Sequence, residues 1–181
     1  MKRAVLFLAT GFEETEAVGT VDVLRRGEID VTVVSVTGER AVTGAHDVTL
    51  VADALFDEVS YESVDALVLP GGMPGSANLN ACEPLKKLLT EHYAKGKTVA
   101  AICAAPLVFG GLGFVDGRKA TCYPSFEPYL AGARITDEAV AVDGNVITGK
   151  GPGLVFDFAL AIVSRLQGGE VKASVSAQLL L

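Results

Sequence analysis

An apolar run, Thr98-Val-Ala-Ala-Ile102, ends in Cys103 and is followed at once by the small, helix-compatible residues Ala104-Ala105-Pro106. Read as a strand meeting a helix, the pattern puts a sulfur on a sharp turn at the positive end of a helix, an environment that favours thiolate over thiol. Free cysteine in a protein interior is usually a small hydrophobe. Position argues otherwise for Cys103: it ends a strand, alanines leave room for close approach, and a helix begins behind it, so it is the candidate nucleophile. The other two thiols read as packing residues. Cys82 precedes Glu83-Pro84 at a helix start, and Cys122, beside Tyr123, ends a short extended run where a redox role is secondary.

Two further groups complete a candidate site. Glu13, Glu14 and Glu16 follow the first apolar run, and acidic residues in a first helical turn ordinarily do no more than offset the helix dipole. Chemistry narrows the requirement without choosing among them. An ionised carboxylate beside a thiolate raises the thiol pKa, so a useful partner is a desolvated, protonated Glu that donates a hydrogen bond. Gly71-Gly72, after Leu67-Val-Leu-Pro70, reads either as a plain turn or as unobstructed backbone N–H groups that, with the N–H of Ala104, face a developing oxyanion. His46 and His92 fall in a polar excursion and on a Lys/Glu-rich helix, and both are expected at the surface. The residue pattern suggests no metal site and no cofactor.

In an open α/β sheet, ligands collect at the carboxyl ends of the strands, and the pattern places all three groups there. Residues 3–8 form a first strand; Ala17, Val21 and Leu24 then recur at helical spacing up to Arg26, and residues 30–36 form a second strand. Residues 37–55 are a small excursion whose extended piece, 48–51, is expected to pair as a hairpin. A buried strand at 66–69 runs into the Gly71-Gly72 turn, and a helix over 83–95 carries Leu85, Leu88 and Leu89 on one stripe. Beyond the Thr98 strand, short strands are expected at 119–122, 139–142 and 146–148, then an apolar helix over 154–166 with Phe158, Ile162 and Leu166 in step.

At 181 residues, half hydrophobic and a fifth charged, the chain suits one domain over residues 1–181, with no linker and no repeat. No apolar stretch approaches the roughly 20 residues needed to cross a bilayer, and Met1-Lys2-Arg3 leads straight into a strand, so a soluble, unexported, cytoplasmic protein is expected. A net charge of −7 and a pI near 4.8 argue against a nucleic-acid partner, whose phosphates call for Lys and Arg. Three cysteines without CxxC spacing suggest neither a disulfide framework nor a zinc site, which fits a reducing compartment.

Five motifs in order, Gly11-Phe-Glu-Glu-Thr-Glu16, Val21-Asp-Val-Leu-Arg-Arg26, Leu67-Val-Leu-Pro-Gly-Gly72, Ala100-Ala-Ile-Cys-Ala104 and Gly151-Pro-Gly153 before an apolar helix, resemble the ThiJ/PfpI superfamily. Within it the chain is most similar to the parkinsonism-associated protein deglycase clade. The resemblance implies a flavodoxin-like α/β sandwich of three layers around a mostly parallel sheet, usually as a homodimer. It further implies that Cys103 is the nucleophilic elbow cysteine, Glu16 the protonated glutamate beside it, and Gly72 with Ala104 the backbone oxyanion donors. Members of the family are described as glutathione-independent glyoxalases, as deglycases acting on methylglyoxal adducts, as redox sensors and as chaperones. One departure stands out: the sequence reads Thr121-Cys-Tyr-Pro124, with Tyr123 where the clade commonly has His before the Pro. A phenol donates a hydrogen bond but is a poor base at neutral pH, so proton traffic falls to Glu16.

Two functions use these residues. In the first, the Cys103 thiolate attacks the aldehyde of a 2-oxoaldehyde such as methylglyoxal, or of a glycated adduct, and Glu16 moves a proton between adjacent carbons to give a 2-hydroxy acid. In the second, an oxidative-stress sensor or chaperone-like protein, the same sulfur is oxidised and Glu16 holds the product oxygens. The enzyme is favoured because an oxyanion arrangement has little purpose in a passive sensor. A binding role alone follows if Tyr123 fills the pocket.

Overall fold

Strands that are apolar at nearly every position need cover on both faces, and this requirement sets the architecture. The computed structural model describes residues 1–181. In chain order the elements are β1 (Arg3–Leu8), α1 (Glu14–Arg26), β2 (Asp30–Ser35), β3 (Ala41–Thr43), β4 (Thr49–Val51), β5 (Ala54–Leu55), β6 (Ala66–Leu69), α2 (Gly75–Ala81) and α3 (Glu83–Ala94). They continue with β7 (Thr98–Ile102), α4 (Pro106–Gly111), β8 (Lys119–Ala120), β9 (Arg134–Ile135), β10 (Val140–Asp143), β11 (Val146–Gly149), α5 (Val155–Gln167) and α6 (Gly169–Gln178).

The central sheet has seven strands in the order β10-β11-β7-β6-β1-β2-β5. Every neighbouring pair is parallel except the β10–β11 edge, which is antiparallel. The chain builds outward from β1 to β2 and β5 on one side and from β6 to β7 and β11 on the other, so the order reverses between β1 and β6. Carboxyl ends flanking such a reversal form a crevice where ligands bind in sheets of this kind. The flavodoxin-like three-layer sandwich expected from the resemblance is the fold that forms.

Alternation along each strand divides the core in two. Leu6, Leu8, Val68, Ala100 and Ile102 face α1, α5 and α6, packing on Val23, Leu24, Phe158, Ile162 and Val175. Val5, Phe7, Leu67, Leu69, Val99 and Ala101 face α2, α3 and α4, packing on Leu79, Leu85, Leu89, Val108 and Phe109. The excursion after β2 does form a hairpin, β3 against β4, and β5 then joins the sheet edge. No helix is long and apolar enough to cross a membrane.

Two local features depart from the expectations, whereas the two remaining cysteines follow them. Helices α2 and α6 and the strand β9 lack the apolar periodicity that marks the other elements; α6 buries only Val175, and α2 forms around buried Gly75, Ser76 and Leu79 against the sheet. Cys122 lies just past the end of β8 but is buried, as a packing residue should be, and Cys82 is the N-cap of α3. His92 is not at the surface: it is 3% exposed because it continues the stripe of Leu85 and Leu89 on the inner face of α3. Burial pushes its pKa down to about 4, so the ring stays neutral near pH 7.

Candidate active site

Cys103 sits directly after β7, in a conformation more demanding than a plain turn. Its φ is +65°, in the left-handed region that costs a non-glycine residue on the order of 1–2 kcal/mol. Two backbone bonds hold it there: its N–H donates to the Gly149 carbonyl (2.9 Å), and its carbonyl accepts from the Tyr123 N–H (2.8 Å). Behind it, β7 is buried at every residue and registered between β6 and β11. Ahead of it, Ala104 and Ala105 lead into α4, where Pro106 takes the first helical position. The residue is 7% exposed, a sulfur at the floor of the sheet's carboxyl edge.

Glu16 reaches that sulfur because the usual work of a glutamate in its position is already done by others. It lies three residues after the N-cap Glu13, where a Glu side chain commonly turns back to the N-cap N–H. Here the Glu13 N–H donates to the Gly71 carbonyl (2.9 Å), and the Glu13 carboxylate accepts from the Glu16 N–H (2.6 Å). The freed carboxyl of Glu16 turns inward, where Oε2 accepts from the Gly71 N–H at 2.7 Å. Its Oε1 is sealed from solvent without a hydrogen-bond partner, and the Cys103 thiol is a polar neighbour of the carboxyl. Such closeness requires glycine at 71, because a Cβ there would lie 2.6 Å from both the Cys103 Cβ and Glu16 Oε2. Gly72 takes a φ of +88°, and its N–H and that of Ala104 both bear on the sulfur.

Two acids therefore share one dry site. Burial pushes Glu16 up to about 7, against the Gly71 N–H and the Cys103 contact, and the Glu13 charge adds to the rise. Burial also pushes the Cys103 thiol up to about 12; an ionised Glu16 adds to this, while the N–H groups of Gly72 and Ala104 favour the anion. The pair titrates as a unit. When Glu16 keeps its proton its repulsion vanishes and its O–H is a donor for sulfur, so the neutral carboxyl is the state of Glu16 that favours a thiolate. The helix start behind Cys103 was expected to favour thiolate beside a protonated glutamate; α4 has only six residues, and burial is the largest effect on the thiol and opposes its ionisation.

The sequence profile of the DJ-1/PfpI family matches residues 2–165. The chain belongs to this family. Protein DJ-1 homolog B of Arabidopsis thaliana is 41% identical over 99% of the chain, which spans only 42% of that relative's length. The crystal structure of Drosophila melanogaster DJ-1beta superposes with a TM-score of 0.95 at 39% identity, covering 99% of this chain and 98% of that one. Glutathione-independent glyoxalase DJR-1.2 of Caenorhabditis elegans is 35% identical over 87% of this chain and 84% of its own length.

Within this DJ-1/PfpI chain, Cys103, Glu16, Gly72 and Ala104 converge, and Tyr123 adjoins them through its backbone bond to Cys103. Glu13 caps the helix instead, and Glu14 accepts from the backbone and the ring of exposed His46 on the β3–β4 hairpin. Glu13, Glu14 and His46 lie close enough to bracket an ion, yet their carboxylates are already taken by N–H donors. Gly71, expected with Gly72 either as a plain turn or as an amide facing an oxyanion, directs its N–H to the Glu16 carboxyl. The site also gives a stability signature with a definite sign. Glu16 binds its proton more tightly folded than unfolded, so its contribution is fully present below pH 4.5 and is lost as pH rises through about 7. Glu16→Gln should match wild type in chemical denaturation near pH 4.5 and exceed it at pH 8 by up to about 3 kcal/mol. A difference that stays constant with pH would contradict the assignment of a buried, protonated Glu16.

Proposed function

We propose that this DJ-1/PfpI chain is a cysteine-dependent, glutathione-independent glyoxalase acting on 2-oxoaldehydes such as methylglyoxal, and a deglycase toward their adducts. One observation carries the reading: a buried carboxyl, anchored by the Gly71 N–H, adjoins a sulfur on which the backbone N–H groups of Gly72 and Ala104 also bear. The Caenorhabditis elegans relative, a glutathione-independent glyoxalase, supports the same class. All three cysteines are free thiols, which supports placing the protein in a reducing compartment, the cytoplasm.

The proposed reaction begins when the Cys103 thiolate adds to the aldehyde carbon. The carbonyl electron pair moves to oxygen, the N–H groups of Gly72 and Ala104 stabilise the oxyanion, and the Glu16 proton neutralises it to a hemithioacetal. The Glu16 carboxylate then takes the proton from the former aldehyde carbon and, through an enediol, returns one to the neighbouring carbon. The aldehyde carbon is oxidised as its neighbour is reduced, so no external redox partner enters. Water cleaves the resulting 2-hydroxy thioester to lactate and the free thiol. Neither imidazole takes part: His46 is bound to Glu14, and His92 lies at the opposite end of β7, beside Thr98.

A second reading, a peroxide sensor, has its own support in the unpartnered Glu16 Oε1 and the two amides, three groups able to hold oxygens on sulfur. Thiolate and peroxide give sulfenic acid and water, and a second peroxide gives sulfinic acid. The homodimer implied by the resemblance also has a suitable face. A groove of about 340 Å³ between α1, the β3–β4 hairpin and the sheet exposes Val18 and Val51 beside Val21 and Leu50.

Three measurements test these assignments. Wild type should release lactate from methylglyoxal without glutathione, with Cys103→Ser inactive and Glu16→Gln slowed by roughly 10²- to 10⁴-fold; equal rates in all three exclude the mechanism. After mild peroxide, mass spectrometry should place two added oxygens on Cys103 and spare Cys122, whose thiol burial pushes up to about 11; indiscriminate oxidation removes the sensor reading. Sedimentation should give a dimer that Val51→Asp converts to monomer, and a wild-type monomer refutes the pairing.

A further inference from the structure

Beside Cys103 stands a run of aromatic rings that the proposed proton transfer does not use. The Tyr123 N–H is bonded to the Cys103 carbonyl, and one edge of the Tyr123 ring packs on Gly151, in the loop that follows β11. The ring is thus held between the nucleophile's own turn and the neighbouring loop, yet the residue is 45% exposed. Phe126 braces it, with ring centroids 6.5 Å apart and planes at 77°, and Tyr129 continues the row at 5.8 Å from Phe126. The brace is rigid: Phe126 is half-buried against both core layers, and the Phe126 and Tyr129 N–H groups donate to the carbonyls of Tyr123 and Phe126. At the far end, the Tyr129 carbonyl packs directly on Gly110 of α4, the helix that begins just after Cys103. Tyr123 and Tyr129 are both exposed, so the row presents a continuous aromatic face to solvent.

We propose that Tyr123, held by Phe126, is a specificity-determining wall that selects 2-oxoaldehydes bearing an aromatic substituent over those bearing a methyl group. The inference rests on the glyoxalase reading for its substrate class. Its physical basis is separate: an aryl group next to the reacting carbonyl lies over or against the Tyr123 ring, whereas a methyl group reaches no such surface. A stacked or edge-on pair of rings contributes enough to favour the aryl substrate by roughly 2- to 12-fold. The phenol oxygen has no part in this, so a phenylalanine serves equally well at position 123.

The test has two readouts. Cys103 is alkylated with phenacyl bromide and with bromoacetone, and the ratio of the two rates is divided by the same ratio for free glutathione. Wild type and Tyr123→Phe should prefer the phenyl reagent by at least twofold, Tyr123→Ala should lose that preference, and Tyr129→Ala, two rings away, should keep it. In parallel, kcat/KM is compared for phenylglyoxal and methylglyoxal. Selective alkylation without turnover of either aldehyde leaves the wall standing and defeats the glyoxalase reading. Turnover with no aryl preference defeats the wall and leaves the glyoxalase intact. A wild-type alkylation ratio equal to that of glutathione overturns the inference whether or not the variants fold, and so does a Cys103 inert to both reagents.

Discussion

Two acidic groups in one water-poor space cannot both be charged, and the arrangement around Cys103 follows from that constraint. Glu16 is fully buried, its outer oxygen has no conventional partner, and the neighbouring sulfur is almost as inaccessible. Their shared environment admits one negative charge. The surrounding backbone supplies donors to either holder of it: Gly71 to the carboxyl, Gly72 and Ala104 to the sulfur. A proton moving from Cys103 to Glu16 therefore finds both states partly solvated by the protein, and little reorganisation accompanies the transfer.

Such a site exists only because rigid neighbours hold groups in positions they would not choose alone. The left-handed backbone of Cys103 is tied to β11 on one side and to the Tyr123 segment on the other. The carboxyl of Glu16 is turned inward because Gly71 and Glu13 have taken over the two ends of the ordinary capping pattern. The Cys103–Gly149 tie joins the ends of β7 and β11, and the Glu13–Gly71 tie joins the segments that follow β1 and β6. The parallel sheet, buried on both faces, fixes the relative heights of those ends, and a shift of one residue in register would separate carboxyl and sulfur.

The sequence disclosed most of the scaffold because parallel strands covered by helices leave an unmistakable apolar pattern. Residues 3–8, 66–69 and 98–102 are near-continuous apolar runs, and each is a central strand. Helices α2 and α6 were not legible, since their stability comes from packing that no periodicity announces. For the site, position alone singled out Cys103 and the glycine turn, whereas the choice of Glu16 over Glu13 and Glu14 came from resemblance. Spacing could not make that choice, because Ala17, Val21 and Leu24 point back to Glu13 or Glu14 as readily as Thr20 and Val23 point back to Glu16. On α3 the spacing was informative, since His92 continues the buried stripe of Leu85 and Leu89.

What no sequence pattern conveyed was the direction in which the thiol pKa moves. A strand end followed by a helix suggests an acidified cysteine, but that suggestion weighs only the partial charge of a helix and neglects desolvation. With α4 only six residues long and Cys103 almost wholly buried, the balance tips the other way, and the thiol is harder to ionise than in water while Glu16 is charged. Reactivity then cannot belong to the cysteine as a standing property. It belongs to the protonation state of the pair. In the proposed reaction the nucleophile is therefore switched on by the same proton that the glutamate later delivers, so activation of the sulfur and readiness of the acid are one event.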